Sequence, residues 1–130
     1  MNVYSSPSSI IEYEPPKSLL LTTWLKDSIL LTEEEVKNEI TNVLTFAREF
    51  NVKKIIVDAR DYPFRENYNI QYWINYTFMP MVVECGVAKY ALIVIDRVED
   101  QYESFKDVDS ENMQVEYFTN PEEAEQWIES

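Results

Sequence analysis

Two stretches of this chain read as strands buried on both faces. KKIIVD (residues 53–58) and AKYALIVI (88–95) carry apolar residues at consecutive positions rather than alternate ones. Runs of that kind belong to the centre of a parallel sheet with layers on either side. Parallel neighbours need a crossover between them, usually a helix. The chain supplies helical stretches before the first run and between the two, so a mostly parallel sheet covered by helices is expected.

The other segments fit around this pair. Ser8–Glu14 and Ser18–Leu25 are β-rich and flank Pro15-Pro16. Two prolines cannot sit in a central strand, so they mark a turn and imply an antiparallel pair. Residues 1–7 (MNVYSSP) are expected to be a flexible lead-in, with a single domain over 8–130. In TEEEVKNEITNVLTFAREFN, Thr32 and Glu35 form a capping box. Val36, Ile40, Val43, Leu44, Ala47 and Phe50 follow at helical spacing, and Asn51 can take the left-handed conformation that ends a helix. A second helix is expected from about Asn67 to Cys85, kinked at Pro80 and stopped at Gly86, the only glycine. Val98, Tyr102 and Phe105 suggest a short helix, Met113–Phe118 alternates as a strand, and Asn120-Pro121 opens a last helix that buries Ala124, Trp127 and Ile128. The expected order is β-β-α-β-α-β-α-β-α.

Charge and missing residue types limit the function. Lys plus Arg is 11 against 24 Asp plus Glu, a net charge of −13. Residues 96–130 hold 12 of the acids and only two of the bases. Such a chain repels phosphate backbones, so neither nucleic acid nor an anionic membrane is an expected partner. The apolar runs are too short to span a bilayer, and no basic region precedes one as in a secretory leader. A lone cysteine, Cys85, cannot form an internal disulfide, and a cytoplasmic address is expected. With no histidine there is neither an imidazole metal ligand nor a Ser-His or Cys-His nucleophile pair. One glycine cannot build a nucleotide-binding fingerprint. No cofactor and no enzymatic activity are expected.

The charged residues after the first buried strand form one candidate site. Asp58, Arg60, Asp61, Arg65 and Asn67 lie where ligands of α/β sheets often bind. They could equally order the loop through local pairing, since loop acids beside arginine commonly do. The acids Asp96, Glu99, Asp100, Glu103 and Asp107 read as a solvated helix face rather than a cation site. Residues 107–118 lack the glycine and the closing glutamate of a calcium loop. Cys85 reads as a small core hydrophobe. A second candidate is the outer face of the second helix. With Ile70, Trp73, Ile74, Thr77, Met81 and Cys85 turned inward, Tyr68, Tyr72, Asn75, Tyr76, Met79 and Val83 face outward, and no charged residue falls between Asn67 and Val83. Tyrosine and methionine are enriched at interfaces, while charge is depleted at their cores. A homodimer or another protein partner would use this face.

The segments VKKIIVDARD, QYWINYTFMPMVVECGVAKYALIVI and VEYFTNPEEAEQWIES together resemble the SpoIIAA-like (STAS-like) domain family, in its small Bacteroidota type. The likeness rests on Trp73 in a helix running into Gly86 and Ala88–Ile95, and on Phe118 followed by Glu122, Glu123, Ala124 and Trp127. It covers roughly residues 9–129. It implies a four-to-five-stranded mixed sheet with helices packed mainly on one face, and a regulatory or protein-interaction role. Family members that are phosphoswitches carry a serine at the helix start after the central strand. The equivalent segment here, Asp61–Asn69, has no serine or threonine, so that switch does not carry over. The expected function is a small non-enzymatic interaction module. The alternative is a small-molecule or lipid-fragment binding domain that uses the loop after Asp58.

Overall fold

The computed structural model describes residues 1–95 and 113–130. Its centre is a six-stranded mixed sheet in the spatial order β1-β2-β3-β4-β5-β6. β1 (Asn2–Ser5), β2 (Ser9–Glu14) and β3 (Leu19–Trp24) form an antiparallel meander. β4 (Lys54–Asp58), β5 (Lys89–Ile93) and β6 (Gln114–Phe118) continue from β3 in parallel. The sheet therefore has more strands than the four or five expected, and part of the lead-in is one of them. Tyr4 pairs with Ile11 and Ser5 with Ile10. Between β2 and β3, Pro15–Lys17 form a 3-10 turn closed by Ser18 at φ 52°.

Each parallel strand sends alternate side chains to opposite faces. Leu20, Ile55, Val57, Tyr90 and Leu92 enter the larger core, while Leu19, Ile56, Ala91 and Ile93 enter a smaller one. Because both cores are filled, the strands read as continuous apolar runs.

The strands never reverse their spatial order. Right-handed crossovers between strands added in one direction place their helices on the same side. α1 (Glu33–Phe50) accordingly buries Val36, Ile40, Val43, Leu44 and Ala47 in the larger core. Its capping box is complete, with Glu35 N–H donating to Thr32 Oγ1 and Thr32 N–H to Glu35 Oε1, and Asn51 ends it at φ 52°. The second helix, α2, covers the same side. The opposite side is covered by α3 (Pro121–Glu129), through Ala124 and Ile128. Among the described residues helices thus lie on both faces, two on one and a short one on the other. The short helix expected around Val98–Phe105 and the acids Asp96–Asp107 lie outside the described residues.

α2 departs from regular pitch. It runs as α-helix over Tyr68–Trp73, widens into a π-helical turn over Ile74–Phe78, and resumes over Met79–Glu84. Met79 N–H donates to Ile74 O, five residues back. Pro80 follows at once; it has no N–H, and its ring crowds the carbonyl four residues earlier in a regular helix. The π turn supplies one extra residue just ahead of it, which advances every later position by one. Phe78 and Val82 are buried where regular spacing places Thr77 and Met81. Met79 is 0% exposed, and Thr77 is exposed.

Candidate functional site

The outer face of α2 follows from that shift. Tyr68, Tyr72 and Tyr76 are 79%, 57% and 67% exposed, and Pro80 and Glu84 continue the row at four-residue spacing. Asn75 and Met79 do not belong to it: both are buried, because the π turn that begins at Ile74 and its extra residue rotate their side chains inward. Val83 is half-buried against that core. The tyrosine rings lean on one another, with centroids 6.4 Å apart for Tyr68–Tyr72 and 4.6 Å for Tyr72–Tyr76.

The loop after β4 forms the second region. Asp58 is committed locally. Its Oδ1 accepts from Arg60 N–H at 3.2 Å and Nε at 3.0 Å, and its Oδ2 from Nη2 at 2.7 Å. That hydrogen-bonded carboxylate holds the Arg60 guanidinium above its ordinary pKa. Asn67 is occupied as well. Its Oδ1 accepts from Ile70 N–H and so caps α2, and its Nδ2 donates to Glu33 Oε1 at 3.0 Å, tying the starts of α1 and α2 together. Asp61 and Arg65 have no ion pair among the described residues. Both line an open hollow of about 360 Å³ together with Arg60, Glu66, Pro63 and Ile95. The structure therefore separates the five loop residues into two groups. Asp58 and Asn67 hold the backbone, while Arg60, Asp61 and Arg65 line a polar recess.

Beside the hollow, and sharing Ala59 and Tyr62 with it, a narrow slot of about 50 Å³ reaches under α2. Its walls include Trp24, Val57, Ile74, Phe78, Tyr90 and Leu92. Burial alone raises the Tyr90 phenol well above its usual pKa. Gln71 also lines the slot, and its Oε1 is buried without a hydrogen-bond partner. Periodicity assigned Gln71 to neither face of the helix. The one sequence signal for it is a polar residue directly after the core residue Ile70.

Among the described residues, no group of three or more His, Cys, Asp or Glu side chains could hold a metal ion, and no helix is long and apolar enough to cross a membrane. Cys85 is half-buried at the end of α2 and packs against the larger core. No family model, no curated protein and no solved structure matches the chain. The STAS-like resemblance accordingly rests on the sequence segments alone.

Proposed function

We propose that this protein is a small, non-enzymatic interaction module of the STAS-like type, and that it meets its partner through Tyr68, Tyr72 and Tyr76. The row of tyrosines carries the reading. Three large side chains stand exposed on one helix face, in a segment without a single charged residue, on a chain whose net charge is −13. Exposed aromatics in a charge-poor setting are what interface cores use. The rings already rest on one another, so binding orders few additional rotamers, and its entropic cost is reduced. The resemblance to STAS-like domains supports the same reading, and the lone Cys85 supports a cytoplasmic address. A phosphoserine switch forms no part of it, because Asp61–Asn69 offers no hydroxyl of that kind.

A second copy of the chain is the simplest partner to test. Light scattering coupled to size exclusion, at several concentrations, compares the wild type with Tyr72→Arg/Tyr76→Glu. The double variant should remain folded by circular dichroism and lose whatever self-association the wild type shows. A wild type that stays monomeric at high concentration removes the homodimer. Proteins that co-purify equally with the wild type and the double variant would overturn the tyrosine face altogether.

A further inference from the structure

The slot and hollow after β4 carry an inference independent of the tyrosine face. Buried polar atoms are nearly always hydrogen-bonded, and an exception calls for an unseen partner. Gln71 Oε1 is such an exception among the described residues, and Gln71 is one of the residues that line the slot. A molecule seated in the slot with a hydrogen-bond donor would satisfy that oxygen. Such a molecule must also be small, because about 50 Å³ holds roughly two non-hydrogen atoms when a water's share is about 30 Å³. Its donor should be neutral, since the walls are apolar and burying a cation against them is expensive. A hydroxyl on a short carbon stem meets all three conditions.

The hollow sets the chemistry of the rest of the molecule. Arg60 already donates two hydrogen bonds to Asp58 along one edge of its guanidinium, and Asp61 acts on the same group. Arg65 is half-buried and has no acid partner among the described residues. Its planar fork suits a carboxylate. Asp61, on the same rim, is exposed and likewise without an ion pair among those residues, and it suits an ammonium group. A plain anion would meet Asp61, and a plain cation would meet Arg65. A molecule carrying both charges meets each with its opposite.

We propose that the slot and hollow form one binding site for a small zwitterion with a short, hydroxyl-bearing side chain. Its carboxylate pairs with Arg65, its ammonium with Asp61, and its hydroxyl donates to Gln71 Oε1. L-Threonine is the diagnostic probe, because L-valine has the same shape without the hydroxyl. A site built to bond a hydroxyl rejects the analogue that lacks it.

Titration calorimetry and thermal shift on the full chain test the assignment. L-Threonine should bind saturably and raise the melting temperature, as a ligand specific for the folded state must. L-Valine should bind at least about tenfold more weakly. Arg65→Met should abolish threonine binding, and Gln71→Leu should erase the preference for threonine over valine. Tyr72→Arg/Tyr76→Glu should leave the threonine response unchanged, which separates this site from the tyrosine face. The threonine–valine comparison uses only wild-type protein, so a variant that fails to fold cannot obscure it. Absence of saturable binding for both threonine and serine would overturn the proposal and leave water as the occupant of the slot. Valine binding as tightly as threonine would overturn it equally.

Discussion

The Lys89 ammonium donates to the carbonyl oxygen of Trp127 at 3.0 Å and lies 5.2 Å from the centre of the same residue's ring. One lysine on β5 thus holds the last turn of α3 in two ways. It adds a donor to a carbonyl that the Ser130 N–H and Oγ also reach, and it places positive charge at the negative pole of the helix. Lys89→Met keeps the aliphatic stem and removes these contacts together with the bonds from the ammonium to Ser130 O and Oγ. We expect a loss of about 1–2 kcal/mol, read as a lower urea midpoint and faster amide exchange confined to residues 121–129. An unchanged exchange rate there would show that apolar burial of Ala124 and Ile128 holds the helix unaided.

Glu39 has the corresponding role at the other edge of the sheet. Its carboxylate accepts from Tyr4 OH at 2.9 Å, Ser6 Oγ at 3.1 Å and Ser9 Oγ at 2.7 Å. α1 thereby holds β1 and the turn that follows it. Bonds to a charged acceptor contribute more than neutral ones. Glu39→Ala removes all three of these bonds and should cost about 2–3 kcal/mol. Glu39→Gln retains one carbonyl acceptor and should cost less. Denaturant unfolding of both variants checks the order; equal losses would contradict it.

The π turn makes a prediction opposite to regular helical spacing. Met79→Ala should cost about 2–5 kcal/mol, as truncation of a fully buried methionine does. Thr77→Ala should change stability by no more than about 0.5 kcal/mol, because its side chain is exposed. Urea midpoints for the two variants decide the matter. The reverse ranking would mean that the helix keeps an even pitch through Pro80.

Stability should fall at high pH through two tyrosines. Burial raises the Tyr90 phenol. Burial first, and then the hydrogen bond to Glu39, raise that of Tyr4. In the unfolded chain both ionise near the ordinary value of 10.0. Their contribution is complete below pH 10 and declines as pH rises above it, because only the unfolded state then releases the proton. The unfolding midpoint should drop between pH 9 and pH 11 (roughly one unit either side of the tyrosine pKa). Tyr90→Phe should flatten part of that drop. A variant with the same alkaline slope as the wild type would remove Tyr90 from the account.

Particular residues show why some of this architecture was legible in the sequence and some was not. Ile55–Val57 and Ala91–Ile93 face two cores at once, and that leaves an unbroken apolar run. Thr32, Glu35 and Asn51 act through their own neighbours, so their capping roles can be read from four or five letters. β1 is too short, and paired on one side only, for alternation to reveal it in MNVYS. Met79 was misplaced because face assignment assumes a constant pitch, and one added residue in Ile74–Phe78 breaks that assumption for everything after it. In the loop, Asp58 and Arg60 are two residues apart and their pairing was foreseeable. Gln71 meets the walls of the slot only through tertiary packing, and no local pattern announces that.

The unbroken strand order also has a meaning in time. Every new strand of the described sheet joins the edge left by the one before it, so a chain emerging from the ribosome can add each strand without parting those already paired. The larger core can close progressively as α1 and α2 arrive. The smaller core has no such schedule: Leu19, Ile56, Ala91 and Ile93 wait for Ala124 and Ile128, which come last. Among the described elements, the nascent protein therefore carries one finished face and one adhesive face until α3 is made, and that interval is when a chaperone has most to do.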